Sequence, residues 1–222
     1  MVEPESVNKL KAIKNKIKNA CVEAGRGEHE LSLIAVSKTY PAENIEPLLE
    51  TGHRSFGENR VQEAQKKWPE LKNKYPDTEL HLIGPLQTNK TKDALRLFNV
   101  IHTLDRPKLA DAIALEIKTI NIEPKILVQV NIGNEPQKAG VKMEDLGKFL
   151  DYCHEKKLTI SGLMCIPPVE ENPQPYFKKL AELARDHQLR ELSMGMSGDY
   201  ETAIQEGATY VRVGSAIFGE RQ

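Results

Sequence analysis

The chain has 222 residues, 39% of them hydrophobic and 28% charged, a size and mixture that fit one globular domain, 1–222, better than two. The formal net charge is −1 and neither half is strongly basic, which speaks against a nucleic-acid footprint. No stretch has the uninterrupted apolar length of a membrane span, no apolar core follows Met1, and Glu3 and Glu5 argue against a transit peptide, so a cytoplasmic location is expected.

Near the start, Lys9, Lys11, Lys14, Lys16 and Lys18 interleave with Leu10, Ile13, Ile17 and Cys21 at helical spacing. The pattern predicts an amphipathic helix over 5–25 with a solvated lysine face. After it, short apolar runs alternate with amphipathic stretches. The runs, at 31–38, 55–58, 79–84, 100–104, 125–132, 158–166, 191–197 and 209–218, are mostly rich in Ile, Val and Leu, as buried parallel strands are. Helical patterns separate them at 42–51, 61–75, 88–98, 107–120, 143–156, 175–188 and 199–206, the last with Asp199 as its expected cap. Eight strands with helices between them close most simply into a TIM (β/α)8 barrel, with an open doubly wound sheet as the alternative. Only seven helices separate the eight strands, so the extra N-terminal helix is expected where a terminal eighth helix would pack. Asn172, Pro173, Gln174 and Pro175 read as a loop entering a helix. Cys21, Cys153 and Cys165 lie far apart without metal-ligand spacing and are expected to be reduced, unligated thiols.

Functional groups in such a barrel sit at the C-terminal ends of strands. Lys38 closes the first run, and by alternation Ile34, Val36 and Lys38 share one face. A lysine leaving an apolar strand loses solvation, which favours the free amine that attacks carbonyls. Taken alone, Lys38 is more often a rim lysine that reaches solvent. The other end of the chain changes that balance. Strand seven ends in Met196-Ser197-Gly198-Asp199 and strand eight in Arg212-Val213-Gly214-Ser215. Loops after these two strands often hold phosphate, with backbone N–H groups at Gly198, Gly214 and Ser215 and the hydroxyls of Ser197 and Ser215 as donors. Closure sets strand eight beside strand one, so an amine lies next to an anion cradle. Pyridoxal 5'-phosphate (PLP) requires that combination.

Arg212 shares a face with Tyr210 and Gly214, and as a pure donor it would keep a facing pyridine nitrogen unprotonated. The plainer alternative is a structural arginine paired with Asp199 or Glu220. Asn59, after strand two, is placed to hydrogen-bond a ring substituent. His81 on strand three and Met164 near the end of strand six are further cofactor contacts, each with core packing as its ordinary alternative. Lys138, in the loop after strand five, is ordinarily solvent-facing and here is expected near the mouth of the site.

Several blocks together resemble the PLP homeostasis protein family from about Leu31 onward. They are Ala35-Val36-Ser37-Lys38, Phe56-Gly57-Glu58-Asn59-Arg60-Val61-Gln62-Glu63 and His81-Leu82-Ile83-Gly84-Pro85-Leu86-Gln87-Thr88-Asn89-Lys90, followed by Ser193-Met194-Gly195-Met196-Ser197-Gly198-Asp199 and Arg212-Val213-Gly214-Ser215-Ala216-Ile217-Phe218-Gly219. One departure touches packing: Leu80 stands where an aromatic residue is expected. The resemblance implies a barrel similar to the N-terminal domain of alanine racemase, with PLP as a Schiff base on Lys38. It also implies phosphate contacts from Ser197, Gly214 and Ser215, with Arg212 near the pyridine nitrogen. A cofactor-carrying monomer is expected, with apo-PLP enzymes as recipients and no catalytic residues of its own. Racemisation needs a second base, which fold relatives take from another domain, and no such domain is expected in these 222 residues. The competing readings are a small racemase using Tyr40 or Lys138 as that base, and an aldolase-type barrel that leaves Arg212 without a task.

Overall fold

A computed structural model describes residues 4–219; Glu3 and Glu220, invoked above, lie outside the described residues. Helix α1 (Glu5–Glu23) comes first, and then strands and helices alternate: β1 (Ser32–Val36), α2 (Ala42–Glu50), β2 (Ser55–Glu58), α3 (Val61–Lys74), β3 (Glu79–Leu82), α4 (Thr91–Leu97), β4 (Val100–Leu104), α5 (Pro107–Ile120) and β5 (Lys125–Asn131). The second half holds β6 (Val141–Lys142), α6 (Leu146–Glu155), β7 (Ile160–Met164), α7 (Gln174–Asp186), β8 (Glu191–Met196), α8 (Tyr200–Gln205), β9 (Tyr210–Val213) and α9 (Ser215–Phe218). All the strand pairings are parallel, in the order β4-β3-β2-β1-β9-β8-β7-β5, and β5 pairs back onto β4. That last pairing closes the barrel and removes the open sheet as an alternative. The two-residue β6 pairs with β5 outside the ring.

Alternation along each strand sorts side chains into two layers. Ile34, Val36, Val100, Leu127, Met164 and Tyr210 pack inside the barrel. Leu33, Ala35, Phe56, Leu80, Ile101, Val128, Leu163 and Val211 face the helices in the larger outer core. Among the described residues no helix is long and apolar enough to cross a membrane. Cys21, Cys153 and Cys165 are buried free thiols, and burial pushes those of Cys153 and Cys165 up to about 12, which leaves them protonated.

Three expectations change at the barrel seam. The first strand ends at Val36 rather than Lys38, because Ser37 donates its N–H to Gly57 O and the chain then turns, with Thr39 at φ 70°. The last apolar run is not one strand: β9 stops at Val213, and Ser215–Phe218 forms the short α9. Asp199 does take the position before α8, but its carboxylate accepts from the Met196 N–H behind it and caps nothing.

Helix α1 packs on α2, α8 and α9, the place an eighth helix would fill. Its apolar stripe of Val7, Leu10, Ile13, Ile17, Ala20 and Cys21 is buried while the lysines face outward. Since α1 covers the seam between β9 and β1, its packing bears on the whole closure. Replacing fully buried Leu10 (Leu10→Ala) is expected to lower stability by about 2–5 kcal/mol, measured as a drop in urea midpoint at unchanged m-value.

Candidate cofactor site

At the C-terminal end of the barrel, a cavity of about 390 Å3 opens between the ends of β1, β2, β3, β7, β8 and β9. Val36, Ile83 and Ile166 supply apolar walls. Lys38, Asn59, Ser197, Arg212, Gly214 and Ser215, all expected from sequence, line this one space. The volume falls within the usual range for small-molecule sites. His81 and Met164 do not reach it. Each precedes a lining residue, Ile83 or Ile166, by two positions on the same face, so it lies one layer deeper. Both are fully buried there, Met164 among apolar neighbours and His81 among polar ones. Lys138 also lies outside the lining: its ammonium is held by Glu135 Oε2 at 2.6 Å and by Pro167 O at 3.1 Å.

The turn carrying Lys38 is clamped from behind. Fully buried Glu58 accepts through Oε1 from Ser37 Oγ (2.6 Å), Trp68 Nε1 (3.0 Å) and Lys67 Nζ (2.9 Å). Lys67 Nζ also donates to the carbonyls of Ser37 (2.8 Å) and Tyr40 (2.9 Å), the residues that flank the Lys38–Thr39 pair. The Thr39 N–H donates to the Glu63 carboxylate, which fixes a β-branched residue in the left-handed region it seldom adopts. On the other side Tyr40 donates to Gly219 O at 2.9 Å, and its ring stacks on Phe218. Sequence inspection missed this clamp. The four-residue spacing of Glu63 and Lys67 was readable as one helix face, but nothing in it said that both reach back to β1.

Two glycines place the remaining walls. A Cβ on Gly84 would sit 2.2 Å from Asn59 O, so only glycine lets the β3 end pass close enough to hold the Asn59 backbone at the rim. Gly195, at φ 88°, sits in the register shift between β8 and β9, which turns Ser197 toward Gly214. The Gly214 N–H is spent on Ser197 Oγ at 3.3 Å and is not the free anion donor expected of it. Among the described residues, the N–H groups of Ser197, Gly198, Ser215 and Ala216 have no hydrogen-bond acceptor.

Arg212 is 4% exposed and has no carboxylate partner among the described residues, so the pairing with Asp199 is not formed. Its guanidinium donates to Ser193 Oγ at 2.6 Å and Cys165 O at 2.9 Å, which leaves three of its five N–H donors unused. Burial pulls its pKa down, though an arginine keeps its charge. A buried cation without a counter-charge, four unsatisfied amides, an amine and apolar walls make a donor set that suits an anionic, ring-bearing aldehyde. PLP fits these residues.

A family model described as alanine racemase, N-terminal domain, matches residues 9–222. A pyridoxal phosphate homeostasis protein of Aquifex aeolicus is 46% identical over 96% of this chain and 97% of its own. One of Vibrio cholerae is 40% identical over 96% and 94%. Among solved structures, PipY of Synechococcus elongatus PCC7942 with PLP bound is 36% identical at a TM-score of 0.80, covering 92% of this chain and 100% of that one.

Glu58 sits above the ordinary carboxylate range because burial outweighs the pull of Lys67, Ser37 and Trp68. In Lys67→Met that pull weakens, so the folded state holds a proton at a pH where the unfolded chain has released it. Stability then falls as pH rises. The variant is expected to lose stability already near pH 5, where the Ser37 and Tyr40 carbonyls lack their donor, and about 3 kcal/mol more by pH 8, read from urea midpoints of variant and wild type across that range.

Proposed function

The chain belongs to the pyridoxal phosphate homeostasis protein family, and from that premise we propose that it holds PLP as a Schiff base on Lys38 and carries the cofactor rather than turning over substrate with it. The observation that carries this reading is the meeting of Lys38, Arg212 and the acceptor-free amides of Ser197, Gly198 and Ser215 in one cavity, with the amide of Ala216 next in the chain. When bound, the cofactor would supply an aldehyde, and Lys38, on the turn after β1, would present its amine to that group.

The protein's own groups divide the rest of the task. The amides of Ser197, Gly198, Ser215 and Ala216, with the two serine hydroxyls, hold the phosphate. Val36, Ile83 and Ile166 flank the ring, and Asn59 donates to a ring substituent. Arg212 donates to the pyridine nitrogen and denies it a proton, which makes the ring a weak electron sink and disfavours carbanion chemistry. PipY, a relative solved with PLP bound, supports the cofactor assignment.

Support for carriage over racemisation comes from the two groups that would have to serve as a second base. The Tyr40 hydroxyl is committed to Gly219 O, and the Lys138 ammonium to Glu135 and Pro167 O. The recipients in this reading are apo forms of PLP enzymes. The protein acts as a monomer in this reading: of the exposed large apolar residues, Val22 lies on α1, Leu115 on α5 with Ile122 just after it, Val169 in the loop between β7 and α7, and Met196 at the end of β8.

Protein loaded with PLP is expected to absorb in the visible, to lose that band on borohydride reduction with a stable mass gain on the Lys38 peptide, and to reactivate an apo-enzyme faster than an equal amount of free PLP. Lys38→Ala abolishes the mass gain. A mass gain elsewhere, or release no faster than free diffusion, defeats the proposal.

A further inference from the structure

Below the cavity, polar side chains continue down the inside of the barrel in one unbroken line. Arg212 Nη1 donates to Ser193 Oγ at 2.6 Å, and Ser193 Oγ lies 2.9 Å from His102 Nδ1. His102 Nε2 lies 2.9 Å from His81 Nδ1. His81 Nε2 then meets Ser55 Oγ at 3.0 Å and Glu79 Oε2 at 3.3 Å, at the opposite end of the barrel. Glu79 and Ser55 line a separate cleft there, which gives the line a solvated end. Both imidazoles are fully buried, and the edge of each packs with the Tyr210 ring at centroid distances of 5.5 and 5.4 Å.

The Glu79 carboxylate selects one sense for this line when both imidazoles are neutral; Ser55 Oγ, a hydroxyl that can donate or accept, selects neither. The Glu79 carboxylate can only accept, so His81 Nε2 must carry the hydrogen. His81 Nδ1 is then a lone pair, and His102 Nε2 must donate to it. His102 Nδ1 is in turn a lone pair, which takes the Ser193 hydroxyl proton. Ser193 Oγ keeps its lone pairs for Arg212. In the opposite sense a His81 lone pair would face a carboxylate, and His102 and Arg212 would both donate to one hydroxyl oxygen.

We propose that Glu79, through the single tautomer it imposes on His81 and His102, is the remote counter-charge and positioning device for Arg212. Every dipole in the line points its donor toward Glu79 and its acceptor toward the guanidinium, and each bond polarises the next. The fixed orientation of Arg212, and so its bond to the ring nitrogen of the proposed cofactor, is set from the far end of the barrel. That last step rests on the cofactor reading above; the tautomer assignment does not.

One added proton reverses the line. His81 would donate from both nitrogens, His102 Nε2 would accept, and His102 Nδ1 would compete with Arg212 for Ser193. The groups facing the pair are Glu79 on β3, His53 just before β2, Lys125 from β5, Glu191 from β8, and Tyr210 and Arg212 from β9. Burial and the cations Lys125 and Arg212 outweigh Glu79 and Glu191, and both imidazoles are held below the ordinary histidine range. Lys125 is itself tied to Glu191 Oε1 at 3.0 Å and the Tyr210 hydroxyl at 2.9 Å, which keeps it off the histidines.

Long-range 15N–1H correlation spectra of histidine-labelled protein at pH 7.5, assigned with His81→Gln and His102→Gln, read the tautomers directly. Both rings are expected as neutral Nε2–H forms. Glu79→Gln, whose side chain both donates and accepts, is expected to give mixed tautomers. It is also expected to weaken PLP binding about 3- to 10-fold and to move the bound-cofactor absorption band. Charged or Nδ1–H rings in the wild type, unchanged 15N shifts in Glu79→Gln, or altered shifts with unaltered PLP affinity each overturn the proposal. Wild-type protein with the expected tautomers that binds no PLP would instead overturn the cofactor reading and leave the line itself standing.

Discussion

The buried contact between Glu58 and Lys67 is the constraint on which the site depends. Taking both charges out of water costs more than their attraction returns unless further hydrogen bonds complete the set. Here completion is uneven: three donors crowd Glu58 Oε1, and among the described residues Oε2 has no hydrogen-bond partner. Such an arrangement adds little to stability relative to an apolar replacement. What it provides is a unique conformation. Lys67 gathers the carbonyls of Ser37 and Tyr40, the turn between them tightens, and Thr39 is driven to a positive φ. A β-branched residue there costs about 1–3 kcal/mol, which the surrounding bonds must offset. Lys38 is therefore mounted on a turn that has one shape, not on the last pleat of a strand.

The same contact explains what the sequence could and could not reveal. Period-two alternation survives past the end of β1, so reading Ile34, Val36 and Lys38 as one face put the amine on the right side of the barrel although the strand stops two residues earlier. Parallel order followed from alternating runs, and from that order came the meeting of Lys38 with Ser197 and Arg212. Depth along a strand was not legible in the same way. His81 and Met164 share a face with lining residues, yet a two-residue step separates rim from interior, and no local pattern fixes where the rim falls. Gly214 was read as a free donor because glycine permits close approach; its neighbour Ser197 claims the amide, a contact between loops 17 positions apart that only closure creates. Glu58, Glu63 and Lys67 looked like ordinary charges on a strand end and a helix for the same reason.

Inside the barrel the chain accepts a second electrostatic burden. Arg212 is buried without a carboxylate beside it, an arrangement that needs compensation from dipoles or from a ligand. Two carbonyl or hydroxyl oxygens supply part of it, and its remaining donors stay unmet. A phosphate-bearing ring with a basic nitrogen supplies acceptor and negative charge together. Electrostatics therefore favour the loaded state, and the histidine line below holds the arginine ready in the empty one.

Clamped floor and open rim together bear on exchange. The groups that fix the amine and the guanidinium, Glu58, Lys67, Ser193 and Ser37, are all buried. By contrast Thr39, Met196, Gly198 and Ser215, at the mouth, are exposed. A ligand bound there keeps its aldehyde end in a rigid setting and its phosphate end near water, so release requires loss of rim contacts but no opening of the core. In the proposed linkage to Lys38, hydrolysis would need only a water molecule from the same exposed side. A site built this way can hold a reactive aldehyde in a defined place and still give it up, and that combination is what separates a carrier from an enzyme that must seal its cofactor away from solvent.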